Sequence, residues 1–132
     1  MKYSFKNLYA IVLVVALSAC GGGGETGGYE YIQLPTYGSI AINQTTGAAG
    51  ITANYSSQRS ANNNAIEQCG VSCVTALEFD SYMCGALARS TTRVVFGWSS
   101  DRKLSDAKSE AITSCQNNNG GTCEVVLSAC NE

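Results

Sequence analysis

From Tyr37 onward the chain contains one pattern twice. Tyr37-Gly38-Ser39-Ile40-Ala41 answers to Cys84-Gly85-Ala86-Leu87-Ala88. Each is followed by a turn-rich stretch and then an apolar segment ending in an aromatic residue and two serines. These segments are Gly50 to Ser57, with Tyr55, and Arg93 to Ser100, with Trp98. A helical pattern comes next, in which Ala61, Ala65, Ile66 and Cys69 share the spacing of Ala107, Ala111, Ile112 and Cys115. That spacing lays a single apolar stripe along a helix. Ser60 and Ser105 are candidate N-caps, and Gly70 and Gly120-Gly121 mark the stops. A β-rich run beginning at a cysteine closes each half, Cys73 to Phe79 and Cys123 to Ala129. Each half thus reads strand, strand, helix, strand. One such unit covers its own apolar face poorly, whereas two packed together cover both. The expected class is α+β: two ββαβ repeats, residues 37–83 and 84–132, related by a pseudo-twofold. They would pack as a small sheet sandwich or a closed barrel with two helices outside.

The residues before the repeat describe export. Lys2 and Lys6 form a basic start, Leu8 to Leu17 is almost wholly apolar, and Leu17-Ser18-Ala19-Cys20 fits a bacterial lipobox. About ten apolar residues are too few to cross a hydrocarbon core, which needs about 20. Residues 1–19 are therefore expected to be a lipoprotein signal peptide, with Cys20 the lipidated first residue of the mature chain. Two or three acyl chains, at about 0.8 kcal/mol per buried methylene, hold a protein to a membrane essentially permanently. Gly21 follows Cys20 where an inner-membrane retention signal would place Asp, which favours the outer membrane in a double-membraned cell. Residues 20–36, dense in glycine to Gly28, read as a flexible tether. Without residues 1–19 the chain has 6 basic and 10 acidic residues and no histidine, which argues against a nucleic-acid partner.

Several of these pieces together resemble the bacterial domain of unknown function 4189. They are Tyr37 to Ala41, Tyr55-Ser56-Ser57 ahead of an alanine-bearing helix, Cys84 to Ala88, and a second helix–Cys–strand half. The resemblance spans residues 37–131 and implies a small secreted or anchored protein of paired ββαβ motifs. It implies no activity and no catalytic residues. Two departures stand out: Asn62 to Asn64 occupy positions usually charged in that family, and the second half has extra residues around Lys103-Leu104.

Six cysteines besides Cys20 in a small exported domain imply disulfides, although six allow 15 pairings. The repeat narrows the choice. Cys69 and Cys115 end equivalent helices, and Cys73 and Cys123 begin equivalent strands. Pairing Cys69 with Cys73 and Cys115 with Cys123 leaves Cys84 to bridge Cys130. A zinc or redox site is disfavoured, because there is no histidine and no Cys-x-x-Cys. No metal or cofactor is expected.

Catalytic groups are sparse. Histidine, the commonest general base, is absent. Ser56-Ser57 and Ser99-Ser100 lack a nucleophile elbow and read as strand-to-helix turn residues. Glu78 and Asp80, two apart at a strand end, could serve glycosidic cleavage of peptidoglycan, but a solvated strand end explains them as well. Tyr55 and Trp98 could line a sugar groove, though their equivalence in the repeat favours packing. Arg89, Arg93, Arg102 and Lys103 form a loose basic group in the second half. Glu78, Asp80 and Arg93 are the candidate surface contacts. The expected function is a non-catalytic, membrane-anchored envelope module that binds an envelope or extracellular protein. A carboxylate-pair cell-wall hydrolase and an inhibitor or immunity-like protein are the alternatives.

Overall fold

Strand β1 (Tyr37–Ile42) is buried on both faces, so it must be covered on both. Ile40 and Ile42 join Phe79, Leu87 and Phe96 in one apolar cluster, whereas Ala41 between them packs with Ala65, Cys69 and Cys73. Period-two alternation causes the split, since successive side chains leave opposite faces of a strand. The first cluster mixes both halves of the chain and lies between two sheets. The second is a seam against a helix. The other half repeats this: Leu87 of β4 (Cys84–Ser90) faces the inter-sheet cluster, while Cys84, Ala86 and Ala88 pack with Ala107, Ala111 and Cys115.

The computed structural model describes residues 30–132. Segment 1–19, Cys20 and the glycines that follow lie outside the described residues. The remaining elements are β2 (Ala49–Tyr55), α1 (Gln58–Cys69), β3 (Val74–Phe79), β5 (Phe96–Asp101), α2 (Leu104–Cys115) and β6 (Cys123–Cys130). They form two three-stranded antiparallel sheets, ordered β2-β1-β3 and β5-β4-β6. The layers run helix, sheet, sheet, helix. β2 lies over β6 and β5 over β3, the reciprocal pairing that a pseudo-twofold requires. The barrel alternative is overturned, because no strand pairs across the two sheets. Ile40, Ile42, Phe79 and Leu87 fill the space between the sheets, and sheets packed face to face sit about 10 Å apart, too far for their edges to hydrogen-bond.

The repeat holds in the fold, but its internal register differs from the expected one. Ala41 pairs with Gly50 and Ala88 with Gly97, so Gly50 is equivalent to Gly97 and not to Arg93. Trp98 consequently matches Ile51, and Tyr55 has no aromatic counterpart. Between the strand glycine and the helix alanine the first half is one residue longer (Gly50 to Ala61 against Gly97 to Ala107), and a register shift at Tyr37/Ser39 absorbs that residue. Asn54, at φ 61°, lies opposite that shift.

Both glycines are required by close approach. A Cβ on Gly50 would fall closer than 3.0 Å to Ala65 O and Cys69 N, and one on Gly97 equally close to Ala111 O and Cys115 N. The helices can lie this near their strands because the faces they bury are small, Ala61, Ala65 and Cys69 in α1 and Ala107, Ala111 and Cys115 in α2.

The helix starts also differ from expectation. Ser57, not Ser60, caps α1: its hydroxyl accepts the Ser60 N–H at 3.2 Å. α2 begins after Lys103 with no side-chain cap, and Asp101 Oδ1 instead accepts the Lys103 N–H at 2.8 Å. Ser99 and Ser100 lie within β5 rather than in the turn. Gly70, at φ 103°, ends α1, while α2 runs into a wide turn over Gln116–Gly120.

Three disulfides join Cys69 to Cys73, Cys115 to Cys123 and Cys84 to Cys130. The first two staple each helix to its following strand. The third crosses directly between β4 and β6, where the two cysteines are opposite each other.

One polar group under α1 is left over. Ser39 is fully buried, and its hydroxyl is the one buried side-chain polar atom without a partner among the described residues. Its repeat mate is Ala86. Burying an unpaired hydroxyl costs about 1–3 kcal/mol, so Ser39→Ala is expected to stabilise the domain by about 1 kcal/mol. For a domain of this length that raises the Tm by about 4–8 °C. A lowered Tm in a thermal melt would mean that the hydroxyl is hydrogen-bonded after all.

Candidate functional site

Strand direction divides the domain into two ends. β1, α1, β4 and α2 all begin at one end, and β2, β3, β5 and β6 all finish there. The chain arrives at that end through Thr36, whose N–H donates to Ser81 Oγ at 2.7 Å and whose hydroxyl donates to Glu132 O at 2.8 Å. Tyr82 and Gln33 are hydrogen-bonded beside it. The carboxyl terminus is clasped at the same end. Asn131 Nδ2 donates to Phe79 O at 2.9 Å and to Asp80 O at 2.8 Å, and its Oδ1 accepts the Asn54 N–H at 2.8 Å. Asn54 Oδ1 returns the contact by accepting the Glu132 N–H. Nothing in the sequence patterning singles out Asn131, because its partners all lie in the other half of the chain.

Two clefts open at the opposite, distal end. The first, about 280 Å³, is lined by Gln44, Val94, Val95, Phe96, Trp98 and Asn118. The second, about 440 Å³, lies on the other side of Gln44, among Asn43, Thr45, Thr46, Ser72 and Val74. No lining residue of either cleft is charged.

The turn that carries Gln44 is held firmly. Asn43 Oδ1 accepts the N–H groups of Thr45 and Thr46 at 2.9 and 3.0 Å, and its Nδ2 donates to Val71 O at 3.1 Å. Arg89 Nη1 reaches across from β4 to donate to Gly47 O at 3.1 Å, tying the turn to the other half. On the far wall, Asn118 Nδ2 donates to Phe96 O at 3.0 Å from within the Gln116–Gly120 turn. The Cys115–Cys123 bridge spans that turn, and Ser90 Oγ donates to Gly120 O at 2.5 Å. Trp98 packs against the inter-sheet core and also lines the cleft. Beside the clefts three valines face solvent, Val71 90%, Val74 59% and Val94 42% exposed.

Of the expected surface contacts only Arg93 lies at this end, and Glu78 and Asp80 do not. Glu78 is on the α1 side of the domain, where its carboxylate accepts a hydrogen bond from Asn62 Nδ2 at 2.5 Å. Asn62 is in turn held by Gln58 Nε2 at 2.9 Å. Asp80 follows the end of β3, in the turn to β4 at the end where the chain arrives. Neither carboxylate lines a cleft. The basic group is split: Arg89 and Arg93 are distal, Arg102 and Lys103 at the other end. Arg93 is exposed next to Val94. Among the described residues no three His, Cys, Asp or Glu side chains come together as a metal site. No described helix is long and apolar enough to cross a membrane.

The molecule is thus a duplicated ββαβ domain, stapled by disulfides, with uncharged clefts at one end. The family model for the domain of unknown function DUF4189 matches residues 37–130, and the chain belongs to that family. No curated protein and no solved structure matches it.

Proposed function

We propose that the protein is a lipid-anchored component of the bacterial envelope whose domain binds another envelope or extracellular component through its distal end. One observation carries this reading: both clefts and the exposed valines 71, 74 and 94 lie opposite the end where the tether joins. A domain held at Thr36 by a glycine-rich tether directs that surface away from the bilayer. Leu34 and Tyr82, exposed at the tether end, suit the membrane side, where tyrosine is favoured at the interface. Apolar side chains rimmed by uncharged polar groups are the composition of a binding surface. The reading is non-catalytic: the sequence has no histidine and no carboxylate lines either cleft.

Two measurements test it. Intact mass of the chain from membranes should lack residues 1–19 and be raised by lipid on Cys20; an unlipidated chain ends the anchoring part. For binding, Val71→Glu and Val94→Glu together should abolish chemical cross-linking of the anchored chain to its envelope partner. Glu78→Gln with Asp80→Asn should leave it intact. Equal cross-linking by both pairs of variants would place binding elsewhere.

A further inference from the structure

The cleft around Trp98 differs from its symmetry mate in a way that points to a ligand. Where β5 places Phe96 and Trp98, β2 places Ala49 and Ile51. Where β4 carries Arg89, whose guanidinium reaches Gly47, β1 carries Ile42. The two halves keep a common fold, yet the second half alone supplies an aromatic wall to an open cleft.

We propose that this cleft binds a neutral pyranose sugar, as one ring of a glycan chain. The proposal rests on the binding reading above and names its ligand class. Its lining combines an indole and Phe96 with two primary amides, Gln44 and Asn118. A pyranose ring has an apolar C–H face and equatorial hydroxyls, and it asks for an aromatic surface beside groups that both donate and accept. Gln44, exposed on its turn, offers both. Asn118 Nδ2 gives one of its two N–H groups to Phe96 O, which fixes the amide and leaves its Oδ1 to accept from a hydroxyl and its second N–H to donate to one. No charged side chain lines the cleft, and Arg89 beside it is turned to Gly47 O, so a charged ligand would find no ion-pair partner in the lining to offset its lost hydration. The cleft is near the lower end of small-molecule sites, about 300 Å³, which fits one ring rather than a folded partner. Gln44 and Asn118 stand on turns tied to the rest of the domain by hydrogen bonds, so little ordering accompanies binding.

Trp98 is the only tryptophan in the chain, so a change of emission on adding ligand to the folded protein comes from the residue that walls this cleft. The test titrates the full chain, in a sugar-free detergent, with chitotriose and maltotriose, and with glucuronic acid and glucosamine as charged comparators. Ligand-observed saturation-transfer NMR runs in parallel. At least one neutral sugar should give a saturable change with a Kd of about 0.1–10 mM, as expected for a ligand of this size. Gln44→Ala should weaken it roughly fivefold, the loss of one or two hydrogen bonds, with the Tm unchanged. Silence in both readouts, tighter binding of a charged sugar, or an unaltered Kd in Gln44→Ala would overturn the proposal. If cross-linking through Val71 and Val94 persists while both readouts stay silent, the sugar site fails and the distal binding surface stands. If both vanish, both readings fail.

Discussion

Replacing Cys84 and Cys130 together by serine is expected to remove about 4 kcal/mol of stability, the largest loss from any of the three bridges. The bridges close loops of very different length, with sequence separations of 46, 8 and 4. In the chain-entropy account a long loop restricts the unfolded chain most, so the Cys69–Cys73 pair contributes only about 2 kcal/mol and Cys115–Cys123 lies between. The long bridge also has the most native structure depending on it. Cys84 is nearly buried against Ala107 and Ala111 at the start of the central strand β4, and Cys130 directly precedes the Asn131 clasp. A domain of this size has a net stability of roughly 5–10 kcal/mol, so the double variant should retain only a small margin. Urea unfolding followed by Trp98 emission gives the comparison, since the midpoint shifts in proportion to stability at constant slope. The expected order of loss is 84–130, then 115–123, then 69–73. If the 69–73 variant proved the least stable, local strapping of α1 would outweigh loop closure.

Element order was legible in the sequence because it is written twice. Ala61, Ala65 and Cys69, repeated at 107, 111 and 115, fix two helices and the faces they bury. Equivalent cysteines need equivalent partners, so the repeat also constrains the bridges. The register of β2 and β5 was not legible. Matching Tyr55 with Trp98 by the serines that follow each is reasonable from side chains alone. The true equivalence is set by Gly50 and Gly97, where a helix backbone passes close by, and a sequence does not tell such a glycine from one in a turn. Helix starts failed for a related reason: Ser56, Ser57 and Ser60 are all acceptable caps, and only the strand's exit selects Ser57. Sandwich and barrel share the same alternation and differ only in whether edge strands pair. The distal clefts were the least visible. Trp98 could be named, but Gln44 and Asn118 reach it from turns far apart in the chain, and amide residues in turns attract no attention until the fold brings them together.

Gly97→Ala is expected to destabilise the domain by about 3 kcal/mol, the upper end of the usual cost of overpacking. The added methyl would meet backbone, Ala111 O and the N and Cα of Cys115, rather than the movable tip of a side chain. Relief therefore requires α2 to shift as a body. The Cys115–Cys123 bridge at its end resists that shift. Gly50→Ala should cost a similar amount, since Ala65 O and Cys69 N occupy the matching place and the Cys69–Cys73 bridge restrains α1 in the same way. The paired result tests the register of the repeat: if Gly50 matched Arg93, Gly50 alone would have this geometry with a helix, and Gly97 would tolerate alanine at well under about 1 kcal/mol. The two variants should differ in one readout. Gly97 lies between Phe96 and Trp98 in β5, so displacing α2 should alter Trp98 emission in the folded state, whereas Gly50→Ala should leave it unchanged. The distance from helix to sheet, set by one missing methyl, thereby also governs the wall of the cleft proposed to hold a sugar.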